Sequence, residues 1–145
     1  MPLNPPIGLD GKVIAHDDPD ISPHSMVIRH INQAQHVVPD ENINGRRIAS
    51  AAFSRTSGDP DNGVSVDLGQ LLTEAGLPES AKVPPGMGAV KLQVGPVRTL
   101  NLRVGSDPIP ENVYHGQIWD VKDTKRTKLR RLVVDWVVPI AGVTI

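Results

Sequence analysis

Arg29, Arg47, Ser50 and His115 are the side chains around which this chain could build an active site, provided the fold brings them together. A guanidinium grips phosphate or carboxylate through paired N–H donors. A serine hydroxyl becomes a nucleophile only with a base in hydrogen-bond reach, and His36 or His115 is the candidate base. No serine sits in a G-x-S-x-G turn, and no glycine-rich phosphate loop accompanies the arginines. The sequence therefore offers residue types rather than a motif. Arg46 and Arg47 follow the turn signal Asn44-Gly45; on a strand they point to opposite faces, so only one of them can line a given pocket. Without chemistry, both arginines flank a turn in solvent, and Ser50, Ser54 and Ser65 are small packing residues.

Five histidines occur, with no H-x-x-x-H pair and no H-E-x-x-H. The absence of cysteine removes disulfides and every thiolate zinc site. No metal site and no cofactor are expected; aspartates near His24 and His30 are the one feature that would allow carboxylate–histidine ligation. The second charged feature is the run KDTKRTKLRR, 122–131. On a helix, Lys125, Lys128 and Arg131 fall three apart, and Arg126 and Arg130 form an i, i+4 pair, so much of the charge faces away from an apolar stripe. Such a face is either solvated or meets an acidic or phosphate-rich partner. It has no interleaved aromatics for base stacking.

The elements that must position these groups are short. SMVIRHI (25–31) alternates as a strand, with Met26, Ile28 and His30 on one side and Val27, Arg29 and Ile31 on the other. RRIASAAFS fits a strand or a short helix, the polar RTSGDPDNG is a loop, and VSVDL (64–68) is a half-buried strand. The whole stretch 45–68 reads as a hairpin-like structural segment with its loop exposed. Asp67 can cap a short helix over DLGQLLTEAGLPES, with Gln70 completing a capping box and Gly76 ending it. GAVKLQVGPVRTLNLRVGS predicts two strands bent at Gly95-Pro96, and VYHGQIWDV another strand with a bulge at Gly116. Leu129, Leu132, Val133, Trp136 and Val137 recur at helical spacing, predicting a basic amphipathic C-terminal helix that Pro139 ends. LVVDWVV also carries strand propensity. The fold class is α+β, a mostly antiparallel sheet with two or three helices.

Length and composition agree with this reading. A chain of 145 residues buries one core, and fourteen prolines and thirteen glycines imply short elements and many turns. The prolines of residues 1–24 mark an irregular arm, loosely ordered or draped over the domain or a partner; 25–145 form a single α+β domain. The net charge of −1 argues against bulk binding to nucleic acid. It hides an asymmetry, since 122–145 hold six of the fifteen Lys and Arg but two of the sixteen Asp and Glu. Nothing resembles a secretory signal or a membrane span, so a cytoplasmic protein with no membrane partner is expected.

Taken together, HVVPDEN, RRIASAAFS, GVSVDL, DPIPENVYHGQI and KRTKLRRL resemble a group of small uncharacterised bacterial proteins over about residues 27–136. Their shared pattern is V-P-D-E-N, R-P-S-S-A-A-F, a short S-V-x-L strand, a proline-rich loop before a histidine, and a basic C-terminal helix. Ile48-Ala49 stands where that pattern has Arg-Pro, and Tyr114 where it has a small residue. The resemblance implies a bacterial origin and no activity. Separately, Arg29, Ser50 or Ser65, and Glu111 occur in the order of the arginine, serine and glutamate of small ADP-ribosyltransferase toxins, to which the chain is similar in that respect alone.

Three functions are expected from these readings. The first is a non-enzymatic binding or accessory component of a bacterial multiprotein or toxin-linked system, with a protein partner. The second is a small nucleotide-using enzyme of ADP-ribosyltransferase type, with Arg29, Arg47, Ser50 and His115 around one pocket. The third, less favoured, is a nucleic-acid binder through Lys125, Arg126, Lys128, Arg130 and Arg131.

Overall fold

A computed structural model describes residues 3–56 and 62–145. Among them the chain forms β1 (Met26–Ile31), β2 (Val37–Asp40), β3 (Gly45–Ile48), β4 (Val64–Leu68), α1 (Gly69–Glu74), β5 (Gly88–Gln93), α2 (Val94–Arg98), β6 (Arg103–Ser106), β7 (His115–Trp119), α3 (Asp123–Arg131), β8 (Val133–Val138) and β9 (Val143–Thr144). Six strands make an antiparallel sheet in the order β6-β7-β4-β1-β5-β8. A smaller sheet, β2-β3-β9, pairs β3 antiparallel with β2 and parallel with β9. This is the expected α+β class.

Strand alternation gives the large sheet two unlike faces. Val27, Ile31, Val64, Val66, Leu68, Val90, Leu92, Val104 and Ile118 turn to one side and are buried there with Ile48, Phe53, Val97, Val121 and Leu129. The opposite face carries a smaller cluster of Ile28, Ala89 and Leu72, covered by Val83, Tyr114, Val137 and Val138. His30 of β1, Ser65 and Asp67 of β4, and His115 and Gln117 of β7 share that second face.

The structure corrects several element assignments. The C-terminal helix stops at Arg131, and LVVDWVV continues as strand β8 against β5. Four valines favour an extended chain. Register shifts at Ala89/Val90 and Lys91/Leu92 break the alternation of β8 and let it mimic helical spacing. Between β5 and β6 lies the short helix α2, where Pro96 fits the first turn. Gly116 is regularly paired with Val66 and Ser106 rather than bulged; a Cβ there would meet the Gly105 carbonyl and the Leu68 side chain at 2.7 Å.

The stretch 45–68 is not one hairpin. β3 closes a hairpin with β2, turned by the 3-10 segment Glu41–Ile43 and left-handed Asn44. A second 3-10 turn, Ser50–Phe53, buries Ala52 and Phe53 beneath α3. β4 then joins the other sheet. The tip of the polar loop, 57–61, lies outside the described residues.

The arm lies on the domain, with Leu3 packed against the core and the stretch from Ala15 onward hydrogen-bonded to it. Arg98 donates to Asp17 Oδ1 (3.0 Å), the Ile21 carbonyl (2.9 Å) and the Asp18 carbonyl (2.6 Å). Gln70 accepts from Ser22 N–H and donates to the Asp20 carbonyl, both at 2.8 Å. Ile21 is buried. Gln70 is thus engaged with the arm rather than with a capping box, and α1 begins without a side-chain cap. Its end is as expected: Gly76 at positive φ lets Gly76 and Leu77 N–H return to the Thr73 and Leu72 carbonyls.

Candidate active site

The polar residues of the second face converge under the loop 107–114. Arg29, His30, Ser65, Val66, Asp67, Lys82, Ile109, Glu111, Asn112 and His115 line one cavity of about 290 Å³. Its centre is Asp67, a carboxylate between the buried Val66 and Leu68 of β4 and itself 1% exposed. Burial of an ionised carboxylate is tolerated only with hydrogen-bonding partners, and Asp67 has two. Oδ2 meets His30 Nε2 at 2.6 Å, and Oδ1 accepts from Asn112 Nδ2 at 2.8 Å. The register explains the meeting: Asp67 lies opposite Ile28 on one side and His115 on the other, and His30 is two residues from Ile28 on the same face.

The second histidine is held differently. His115 Nδ1 donates to the Asp107 carbonyl at 2.7 Å, with the Asp107 carboxylate 3.6 Å away. This fixes its tautomer and leaves Nε2 with the lone pair. In neutral His30 the reverse holds: Nε2–H donates to Asp67, and Nδ1 keeps the lone pair. One cavity therefore presents two imidazoles, each anchored through one nitrogen, with no protein hydrogen bond at the other among the described residues.

Asn112 joins the two. Its amide donates to Asp67, its Oδ1 accepts from Tyr114 N–H (3.0 Å), and its carbonyl accepts from His115 N–H (3.2 Å). A reciprocal bridge with Ile109 tightens the loop that carries it.

Arg29 occupies the back of the site. β1 and β4 are paired only at Val27↔Leu68 and Ile28↔Asp67. Beyond this the guanidinium bridges outward: Nη1 donates to the Ser65 carbonyl (2.9 Å) and Nε to the Ala52 carbonyl (2.7 Å). Burial lowers its pKa to about 10, so it stays cationic at neutral pH. Nearby His36 is pushed down to about 4, first by burial and then by the Arg29 charge. Its Nδ1 accepts from Asn32 N–H at 2.9 Å.

Of the residues proposed from sequence, Arg29 and His115 line the cavity; Arg47 and Ser50 do not. Arg47 lies on the small sheet, paired with Asp40 at 2.9 Å, and Ser50 opens a 3-10 turn. Ser65 and Glu111, taken with Arg29 in the toxin-like order, do line it. His30, Asp67 and Asn112 escaped the sequence reading as a set. The available signal was an Asp and a His on the same face of two apolar strands, which needs the strand register to be seen. Among the described residues no group of three or more His, Asp or Glu is placed to hold a metal ion.

The basic helix is partly tied into the fold. Lys125 Nζ donates to the Leu100 carbonyl (2.8 Å), and Arg126 Nη1 to Ser54 Oγ (2.9 Å). Lys128 and Arg131 are exposed, while Arg130, half-buried, has its pKa lowered by burial and by Arg47 and Arg131. No described helix is long and apolar enough to cross a membrane. A larger cavity of about 490 Å³ beside α1 is mainly apolar and brings together one carboxylate, Glu74, and no histidine.

Comparison with known proteins finds no family model, curated protein or solved structure that matches this chain.

Proposed function

We propose that this chain is a small acid–base enzyme acting on a compact polar substrate in the His30–Asp67–His115 cleft. The observation that carries this reading is the buried Asp67 carboxylate, bonded at once to His30 and Asn112, beside a second tethered histidine in one cavity. Asp67 orients His30 and stabilises the imidazolium that forms when Nδ1 takes a proton; such a pair serves general-base catalysis. His115, through Nε2, is the second proton carrier. A volume of about 290 Å³ suits a ligand near the small end of enzyme substrates. The shared lining by Arg29, Ser65 and Glu111 makes nucleotides and nucleosides the first substrate class to test. The binding-component reading draws on the basic helix, and two of its five cations, Lys125 and Arg126, make bonds within the fold.

The test is turnover of a panel of nucleotides, nucleosides, sugar phosphates and small amides followed by mass spectrometry. Wild type is compared with His30→Gln and His115→Gln. The expected outcome is a compound consumed by wild type and slowed about 10²–10⁴-fold by either substitution. Equal turnover by all three proteins, or none of the panel consumed, counts against the reading.

A further inference from the structure

We propose that the His30–Asp67–His115 cleft holds an oxyanion, a phosphate or carboxylate group of its ligand, between the guanidinium of Arg29 and the ammonium of Lys82. As a substrate subsite this rests on the acid–base reading of the same cleft; as an anion site it does not. Arg29 brings a full charge to the back of the cavity with no counter-ion. Its bonds go to two backbone carbonyls, and no ion pair among the described residues includes it. By contrast Arg47, Arg98 and Arg103 meet a carboxylate at 2.9, 3.0 and 2.7 Å. The neighbouring His36 is neutral at pH 7 and offsets nothing.

The two carbonyl bonds explain why a donor stands at this position. A neutral amide could make them, so they do not explain a cation, whose withdrawal from water is costly unless it is paired. Nε and Nη1 are engaged, while Nη2 donates to no protein acceptor among the described residues. Lys82 is the second cation lining the cavity, and it too has no ion-pair partner there. Its Nζ stands 5.7 Å from the centre of the Tyr114 ring, a contact that holds the ammonium in place without neutralising it.

The carboxylates of the cavity do not answer these charges. Asp67 gives one oxygen to His30 and the other to Asn112. Glu111 is exposed and pairs with neither cation. An oxyanion supplies what both cations lack: lone pairs for Arg29 Nη2 and Lys82 Nζ, and a negative charge. Held there, it anchors the ligand in the cavity that His30 and His115 also line.

The experiment titrates the full chain with inorganic phosphate and, separately, with acetate at pH 7 and constant ionic strength, followed by ¹H–¹⁵N amide shifts. Wild type is compared with Lys82→Met, Arg29→Gln and Lys128→Ala, the last on the exposed side of α3. The expected result is saturable shifts at Ser65, Asn112 and His115 in wild type and Lys128→Ala, with affinity about tenfold weaker in Lys82→Met and in Arg29→Gln. Tighter phosphate binding assigns a phosphorylated ligand and tighter acetate binding a carboxylic acid; either supports the site. No saturable shift with either anion overturns the proposal, as does unchanged affinity in either charge-removing variant. Should Arg29→Gln not fold, Lys82→Met decides alone. Anion binding without turnover of any compound supports the anion site and counts against the enzyme reading; turnover of an uncharged compound without anion binding does the reverse.

Discussion

Acid should destabilise this fold through His36 before it reaches the carboxylates. His36 titrates near 4 in the folded chain, against about 6.5 when unfolded, because burial and the Arg29 cation disfavour the imidazolium. Its Nδ1 accepts from Asn32 N–H, so a proton there would set donor against donor. The sign follows from proton linkage: between about pH 6.5 and 4 the unfolded chain binds a proton that the folded chain refuses, so stability falls as pH falls. Below about 4 both states are protonated and the His36 contribution levels off. Fully enclosed, such a group would remove roughly 2.5 kcal/mol by pH 4.5. His36 is only half-buried, and solvent screening reduces this to about 1–1.5 kcal/mol. The assay is urea unfolding at pH 7 and pH 4.5 for wild type and His36→Asn, which keeps an acceptor for Asn32 N–H. The expected outcome is that wild type loses about 1–1.5 kcal/mol more than the variant over that interval. Equal losses would refute the reasoning.

Three further outcomes follow from the packing. Arg98→Met removes three donors to the arm and should lower stability by about 2–3 kcal/mol, with faster proteolytic cleavage within residues 3–24. Gly105→Ala places a Cβ 2.4 Å from His16 Nε2; the ring must move, at a cost of about 1–3 kcal/mol, while turnover in the cleft is retained. Leu129→Ala, at the fully buried position on the inner side of α3, should cost about 2–5 kcal/mol, whereas Lys128→Ala on its exposed side should change stability by less than about 0.5 kcal/mol. Chemical denaturation checks each value.

Strand alternation made much of the fold legible in the sequence. β1 and β4 were visible because Val27/Ile31 and Val64/Val66/Leu68 alternate with polar or reactive residues, and the end of α1 was visible in Gly76. β8 is hidden in the sequence because two register shifts against β5 destroy its alternation, and a bulge leaves no mark on a valine-rich sequence. α2 was hidden because Gly95 and Pro96 signal a turn as strongly as a helix start. The site was legible only in part. His115 and Arg29 stood out by type, but Asp67 next to a leucine-rich helix looked like its cap. Its true partners, His30 and Asn112, lie 37 and 45 residues away in sequence. Such a constellation is set by the pairing of three strands and one loop, and pairing is a non-local property.

The central claim is that Asp67 fixes His30 as a base facing the cleft, with His115 presenting the opposite nitrogen. Long-range ¹H–¹⁵N NMR of the imidazole rings at about pH 8 reads this directly, since neutral tautomers have distinct nitrogen shifts. The account expects the proton of His30 on Nε2 and that of His115 on Nδ1, with Asp67→Asn removing the His30 preference and leaving His115 unchanged. His30 protonated on Nδ1, or a His30 tautomer indifferent to Asp67→Asn, would contradict it.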